Sequence, residues 1–585
     1  MTVLLDRVID RTLDAWVREF EAEEYRGARV QAWLFEDEAA RRAAERRLAA
    51  AGVTAVFRSA YKPLVHFFLE EVDVEGLEAV SVRYPVRQEA VRRRFTLEAY
   101  PLAGVLGDVD VAFIAGDADL HYDVTLTYAD GRTETARVFA PNRLAEDHAG
   151  VVNLSPTGWV RVDGRADGVE IDEARATEFA QVFEEIVGAV RAYPWGDKEP
   201  YFERLDIRVD IPAIERDLHY HDEVISTVEA LHEDLYFGLL EVFQRHSGRP
   251  LGNRGLQPGQ IVPDVRWVDG PARVLVELKA FPVAAVTTPD GAGAPLDQVD
   301  GALSFGRIAH EMGLIGGEPY TARTRQGRPV LCTYVKGANR PVVISGGQHA
   351  NETSGVVGAL RAARELRDQP GAHFVLFASE NPDGYALHRE LCEHNPRHMA
   401  HAARYSALGD DLAYRERAPW YEREARRKAY EMSGAELHIN LHGYPAHEWT
   451  RPLSGYLPRG FELWTVPKGF FLVMRHHPGR LDEANTLLSH VTARLAARVP
   501  ELVEFNAHQM RMFETHALQR GFEVMHGIPV QRTEGVVEDV PLVLISEFPD
   551  ETVYGDAFRF AHTVQMETVL AAVEGYLAMT ATDGG

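Results

Sequence analysis

A histidine and a glutamate three positions apart in a glycine-rich loop can hold two corners of a metal ion. Such a pair stands at His349 and Glu352, in GGQHANETSG (346–355), directly after the apolar run Val342-Val343-Ile344. A catalytic zinc takes three protein ligands and keeps a fourth position open, so one more donor must come from elsewhere. ELHINLHGYPAHEW (436–449) offers candidates. Side chains alternate along a strand, which places His438, Asn440 and His442 on one face. His442, at the strand end before Gly443, is the natural ligand. His438 lies deeper, and His447 is a loop histidine or a group beside the site. Metal-assisted hydrolysis also needs a base to take the water's proton. Glu547 closes PLVLISE (541–547), a place where a carboxylate is unfavourable unless paired, exposed or functional. The plain alternative is a strand-end glutamate facing solvent.

These residues need a scaffold that brings strand ends together. Beyond residue 300 the sequence alternates short apolar runs with helical patterns. The runs are PVLCTYV (329–335), PVVIS (341–345), HFVLFAS (373–379), ELHINLH (436–442), GFFLVMR (469–475) and PLVLISE (541–547). Helices are expected at GVVGALRAARELR and at the C-terminal FRFAHTVQMETVLAAVEGYLAM. Fully apolar strands alternating with helices predict an α/β fold, a sheet flanked by helices. Functional residues then gather at the carboxyl ends of strands, where His349 and Glu352 lie.

The first 300 residues read as an additional α+β region. An opening amphipathic helix is expected from Leu5, Val8, Ile9, Leu13, Trp16, Val17 and Phe20. ARVQAWLFE and VTAVFRS read as strands around the helix DEAARRAAERRLAAAG. VDVAFIAG and VTLTYADGRTETARVF read as further strands, the latter turning at Asp130-Gly131. Residues 173 to 245 look helical, and 248–263 and 287–295 look like loop and linker. The expected domains are 1–105, a small α/β unit; 106–300, an α+β unit; and 301–585, the unit carrying the chemistry. A net charge of −26 argues against nucleic acid or an anionic membrane as partner. Two cysteines, Cys332 and Cys392, leave no disulfide framework. With no signal-like apolar stretch and no run of about 18 apolar residues, a cytoplasmic protein is expected.

His349-x-x-Glu352, Asn381-Pro382-Asp383-Gly384-Tyr385, Asn440-Leu441-His442-Gly443-Tyr444 and Glu547 in SEFPDETVYG follow one another in that order. Over roughly residues 305 to 580 this resembles the zinc metallocarboxypeptidases typified by carboxypeptidases A and B. The resemblance implies a mixed sheet flanked by helices and one Zn2+ per chain held by His349, Glu352 and His442. It implies Glu547 as general base and an arginine for the oxyanion: Arg397, sixteen residues after Asn381, or else Arg404. The substrate implied is a peptide or a modified amino acid, cleaved at an amide bond. Homo-oligomerisation stays open.

Three departures bear on substrate. Asn351 stands where the family often has an arginine before its glutamate. GDDLAYRER (409–417) puts Ala413 and Tyr414 where an Asn-Arg carboxylate clamp would be, with Arg415 one step on. No tyrosine occurs between residues 457 and 553, and His526 occupies the neighbourhood of the family's capping tyrosine. Arg415, Arg451 or Arg475 is the expected replacement clamp, since arginine offers a bidentate fork; Tyr444 is a further candidate for substrate contact. His-x-Asn-Glu is similar as well to the acyl-amino-acid deacylases of the aspartoacylase and succinylglutamate desuccinylase type. A non-catalytic binding protein is the remaining alternative. His388, His394, His398 and His401 with Cys392 invite a second metal site, but rim and surface histidines are the simpler expectation. HYHDE (219–223) and LHEDLY (231–236) read as structural or interdomain contacts.

Overall fold

Leu437–Tyr444 is buried at every position. A strand achieves that only when both faces of its sheet are covered. The computed structural model, which describes residues 2–90, 94–147, 149–282, 293–446, 468–518, 522–536 and 539–582, shows the cover. Nine strands form one mixed sheet: β1 (Glu318–Arg323), β2 (Pro329–Val335), β3 (Val342–Gly346), β4 (Phe374–Phe377), β5 (Leu437–Tyr444), β6 (Phe471–His476), β7 (Glu523–Met525), β8 (Ile528–Glu534) and β9 (Leu542–Pro549). Their order across the sheet is β1-β2-β4-β3-β5-β9-β6-β8-β7. The centre, β4-β3-β5-β9, is parallel, and antiparallel pairs flank it.

Alternation along the central strands sorts side chains onto two cores. Val342, Ile344, Leu437, Ile439, Leu441, Leu542 and Leu544 meet helices Ser354–Arg367, Leu481–Arg498 and Gly555–Thr582. Val343, Val375, Phe377, Val543 and Ile545 meet Ala425, Ala429 and Tyr430 of helix Arg423–Ser433. His438, Asn440 and His442 lie on this second face, together with Glu547, which pairs with His442 in register. All six strands read from the sequence in this region are present; β1, β7 and β8 were not read. β1 and β8 are edge or near-edge strands with several exposed polar positions, so their apolar signal is weak.

The N-terminal half corrects several expectations. Thr2–Ile9 is a strand, antiparallel to Ala272–Lys279, and the helix is confined to Thr12–Phe20. The helical spacing of Leu13, Trp16, Val17 and Phe20 is real; Leu5, Val8 and Ile9 belong to the strand. The stretch read as helical from 173 to 245 holds helices Glu178–Ala192 and Thr227–His246 with strands Ile171–Arg175 and Arg204–Ile211. A boundary at residue 105 separates nothing. Thr2–Ile9 shares a sheet with Arg204–Ile211 and Gln260–Trp267, Arg29–Leu34 with Gly158–Asp163, and Leu77–Tyr84 with Asp110–Ala115. Nor does the core of this half end at residue 300: Leu387, Leu391, Ala400, Ala402 and Ala403 pack into it. Among the described residues no helix is long and apolar enough to cross a membrane.

Candidate metal centre

β3 ends at Gly346, and the chain must turn at once to present His349. Gly347 makes the turn with φ +64, a left-handed conformation that L side chains seldom adopt. Helix Ser354–Arg367 then begins so close to the sheet that a Cβ on Gly355 would stand 3.0 Å from Leu441. The resulting loop points two donors inward, and β5 supplies the third. His349 Nδ1 lies 2.7 Å from Glu352 Oε1 and 3.0 Å from His442 Nδ1, which in turn lies 3.0 Å from Glu352 Oε2. Ligand atoms around a tetrahedral zinc with bonds near 2.1 Å stand roughly 3.3 Å apart, so a slight outward shift would admit the ion. All three residues are buried, and they are the one such grouping found among the described residues.

The donor chemistry fits a divalent metal. Burial drives His442 down to about 4 against the pull of Glu352, which keeps the imidazole neutral and its lone pair free to bind. Burial would raise Glu352, but His349, His442 and Arg404 overcome it and hold the carboxyl far below its ordinary range. His349 carries a support behind it, since Asp411 Oδ2 lies 3.5 Å from Nε2. A carboxylate there orients the ring and raises its basicity. Gly443 N–H donates to Glu352 Oε2 at 3.0 Å, so β5 also fixes the carboxylate of the loop.

Glu547 is partly buried. Burial of the carboxyl and the nearby charge of Glu352 raise it well above its ordinary range, the condition in which a carboxyl can exchange a proton near neutrality. Arg404 donates to Glu352 Oε1 at 2.7 Å while its side chain keeps 22% exposure. It joins the cluster and keeps part of its side chain exposed. Arg397 does not: it points outward to Asp217 at 2.9 Å with 44% exposure. Of the two arginines expected from the sequence, the structure brings Arg404 to the cluster and leaves Arg397 outside it.

The remaining substrate-binding candidates fare differently. Arg415 is buried and committed to Asp410 at 2.6 Å and Glu422 at 3.1 Å, so it stabilises its own loop and cannot serve as the carboxylate clamp. Tyr444 is buried too, its hydroxyl donating to the Gly469 carbonyl at 2.5 Å rather than into the cleft. His526 turns the β7–β8 hairpin at the edge of the sheet and bonds Thr492 at 3.0 Å. Arg475 faces Val543, four residues along β6 from Phe471, the partner of Glu547. Arg451 and His447 lie outside the described residues. His438 bonds Ser345 and Tyr430 in the core. His388 and His401 are buried rather than on the rim.

Several participants escaped the sequence reading. Asp411 sits inside the GDD stretch already singled out for its missing Asn-Arg pair, so its signal was present. Glu551, which accepts from Asn351 Nδ2 at 2.7 Å, follows Glu547 by four residues. Gln565 donates to the His442 carbonyl at 2.8 Å from the C-terminal helix, and nothing local marks it. Helix Thr227–His246 approaches the site from a distant part of the chain.

No protein-family profile matches the chain, and no curated protein does. Among solved structures, a metallo-carboxypeptidase from Burkholderia cenocepacia is similar at 14% identity over 53% of this chain and 76% of that one, with a TM-score of 0.29. Murein-tripeptide amidase from Escherichia coli O157 is similar at 14% identity over 46% and 97%, with a TM-score of 0.24. A succinylglutamate desuccinylase/aspartoacylase from Rhodobacter sphaeroides is similar at 12% identity over 48% and 69%, also with a TM-score of 0.24. Scores this low do not establish a common fold; the chemistry rests on the residues themselves.

Proposed function

We propose that this chain is a zinc-dependent hydrolase that cleaves an amide bond of a peptide or modified amino acid, in the manner of a carboxypeptidase. The observation that carries the reading is the convergence of His349 Nδ1, Glu352 and His442 Nδ1 within hydrogen-bond distance of one another, with Glu547 in register beside His442. His349, Glu352 and His442 would hold the ion. Zinc in that set would polarise the scissile carbonyl and acidify a water. Glu547 takes the water's proton on its carboxylate and returns it to the leaving amine. Arg404 faces the negative charge that develops on the carbonyl oxygen. Asp411, on Nε2 of His349, keeps that ring turned so that Nδ1 faces the ion.

The deacylase alternative uses the same steps on a smaller substrate. The ion pairs of Arg415 with Asp410 and Glu422 leave the carboxylate of either substrate to another group. The deciding experiment measures metal in the full chain purified without added metal or affinity tag. About one zinc per chain is expected, falling sharply in His442→Ala. No metal in wild type, even with zinc offered at neutral pH, defeats the hydrolase reading. N-acyl amino acids and peptides with free carboxyl termini would then be offered side by side to separate the two substrate classes.

A further inference from the structure

Arg404 sits in a stretch with almost no regular structure: between Cys392 and Tyr405 the one helical element is a single turn, His401–Ala403. Such a segment has no ladder to fix it, and its backbone N–H groups must find partners elsewhere. Several close local turns, such as Ala403 N–H on the Ala400 carbonyl, and two reach a helix of the N-terminal half, Thr227–His246. Met399 N–H donates to Glu229 Oε1 at 3.1 Å and Ala402 N–H to His232 Nε2 at 3.3 Å. His401 Nδ1 lies 3.2 Å from Glu233 Oε1, and its ring lies edge-on to Phe237 at 4.6 Å. Tyr405, the neighbour of Arg404, stacks on Tyr236 with ring centres 5.4 Å apart and planes 6° from parallel.

Glu229, His232, Glu233, Tyr236 and Phe237 follow the i, i+3, i+4, i+7, i+8 spacing of one helix face. That face carries polar and aromatic groups rather than a plain apolar stripe, and its partner is the arginine segment. Between the two backbone anchors lies Ala400, at φ +45 and ψ +51. A left-handed alanine is strained, and it persists only where its surroundings over-determine it. Anchors at Met399 and Ala402 do so here.

We infer that helix Thr227–His246 is the positioning element of the active site, with Tyr236 holding Arg404 against Glu352 through the Tyr405 ring. The inference rests on the hydrolase reading and gives the N-terminal half a role in the chemistry, completing the site rather than blocking it. Tyr236 stacks on Tyr405, the chain neighbour of Arg404, and lies within electrostatic range of the Arg404 guanidinium.

The test uses the full chain loaded with Co2+, whose visible spectrum reports the metal's surroundings, titrated with inorganic phosphate as a tetrahedral anion. Arg404→Ala should weaken phosphate binding about tenfold, the scale of a lost charge-assisted hydrogen bond. Tyr236→Ala should weaken it as much, and adding it to Arg404→Ala should cost nothing further, because both remove one interaction. Tyr236→Phe keeps the stack and should bind as wild type does. Tyr236→Leu fills most of the ring's volume without stacking and stands in if Tyr236→Ala does not fold. Wild-type phosphate affinity in Tyr236→Leu or Tyr236→Ala, beside a weakened Arg404→Ala, overturns the inference and leaves the hydrolase reading intact. Undiminished binding in Arg404→Ala overturns it at its other end. A wild-type chain that takes up no Co2+ defeats the hydrolase reading and the inference with it.

Discussion

On the proposed reading, Glu547 is the residue on which turnover depends. Its carboxyl lies in register beside His442 and is raised by burial and by the charge of Glu352, so the same group can accept a proton and give it back. Glu547→Gln keeps the volume and one hydrogen-bonding oxygen while removing the site of protonation. Metal content should be unchanged. Turnover of whichever amide substrate the wild type cleaves should fall by about 10²–10⁴, the usual contribution of a positioned general base. An active Glu547→Gln would move the base to one of the two buried carboxyls that follow its strand, Asp550 or Glu551. The cluster of His349, Glu352 and His442, and Glu547 in register beside it, was legible because its signals are local: a pair three residues apart, and a charge where a strand should end. The choice between Arg397 and Arg404 was not. Both lie at acceptable spacing from Asn381, and only the surroundings decide, one pairing with exposed Asp217 and the other with buried Glu352.

At the scale of elements, the site depends on how closely helix Ser354–Arg367 meets β5. Gly355 permits the approach, and a methyl there would press on the backbone and Cβ of Leu441, one residue before a ligand. Gly355→Ala should destabilise the protein by about 1–3 kcal/mol, the range for overpacking a filled core. It should also weaken zinc binding, since the strain lies between the loop carrying His349 and the strand carrying His442. Urea unfolding of the metal-free protein and competition with a chelator measure the two effects separately. Loss of stability with zinc affinity intact would show that the loop relaxes independently of the strand. The central strands were readable because burial on both faces leaves unbroken apolar runs. The edge strand Glu318–Arg323 was not, because it is mostly exposed and its residues follow no apolar pattern. Thr2–Ile9 misled for a related reason: its apolar residues also satisfy helical spacing, and only pairing with Ala272–Lys279, some 270 residues away, selects the strand.

Across the whole molecule, stability against pH should carry the mark of carboxyls buried far from the metal. Glu178 begins helix Glu178–Ala192 beneath Thr12, whose hydroxyl accepts from the Glu178 backbone N–H at 3.0 Å. Burial, reinforced by the charge of Glu36, raises its carboxyl from 4.5 to about 7. The folded protein thus favours the protonated form. Its contribution is fully present below pH 4.5 and is lost as pH rises through about 7. Glu70 runs the other way: burial would raise it, but His66 and Arg41 prevail and lower it to about 2, so its contribution is lost only as pH falls from 4.5 towards that value. The two windows do not overlap, so the range from 5 to 7.5 leaves Glu70 out. Glu178→Gln should leave stability at pH 5 nearly unchanged and increase it at pH 7.5 by up to roughly 3 kcal/mol, the linkage value of a shift of this size. Glu36, Glu422 and Asp550 are raised as well, chiefly by burial, so part of the wild-type slope should survive. Urea unfolding of zinc-replete protein at both pH values reads the difference, and equal gains at pH 5 and 7.5 would mean that the amide improves packing and that Glu178 does not titrate on folding. The backbone bond from Glu178 N–H to Thr12 survives the substitution, so the strand-to-helix junction it closes remains in both proteins and the comparison measures charge alone.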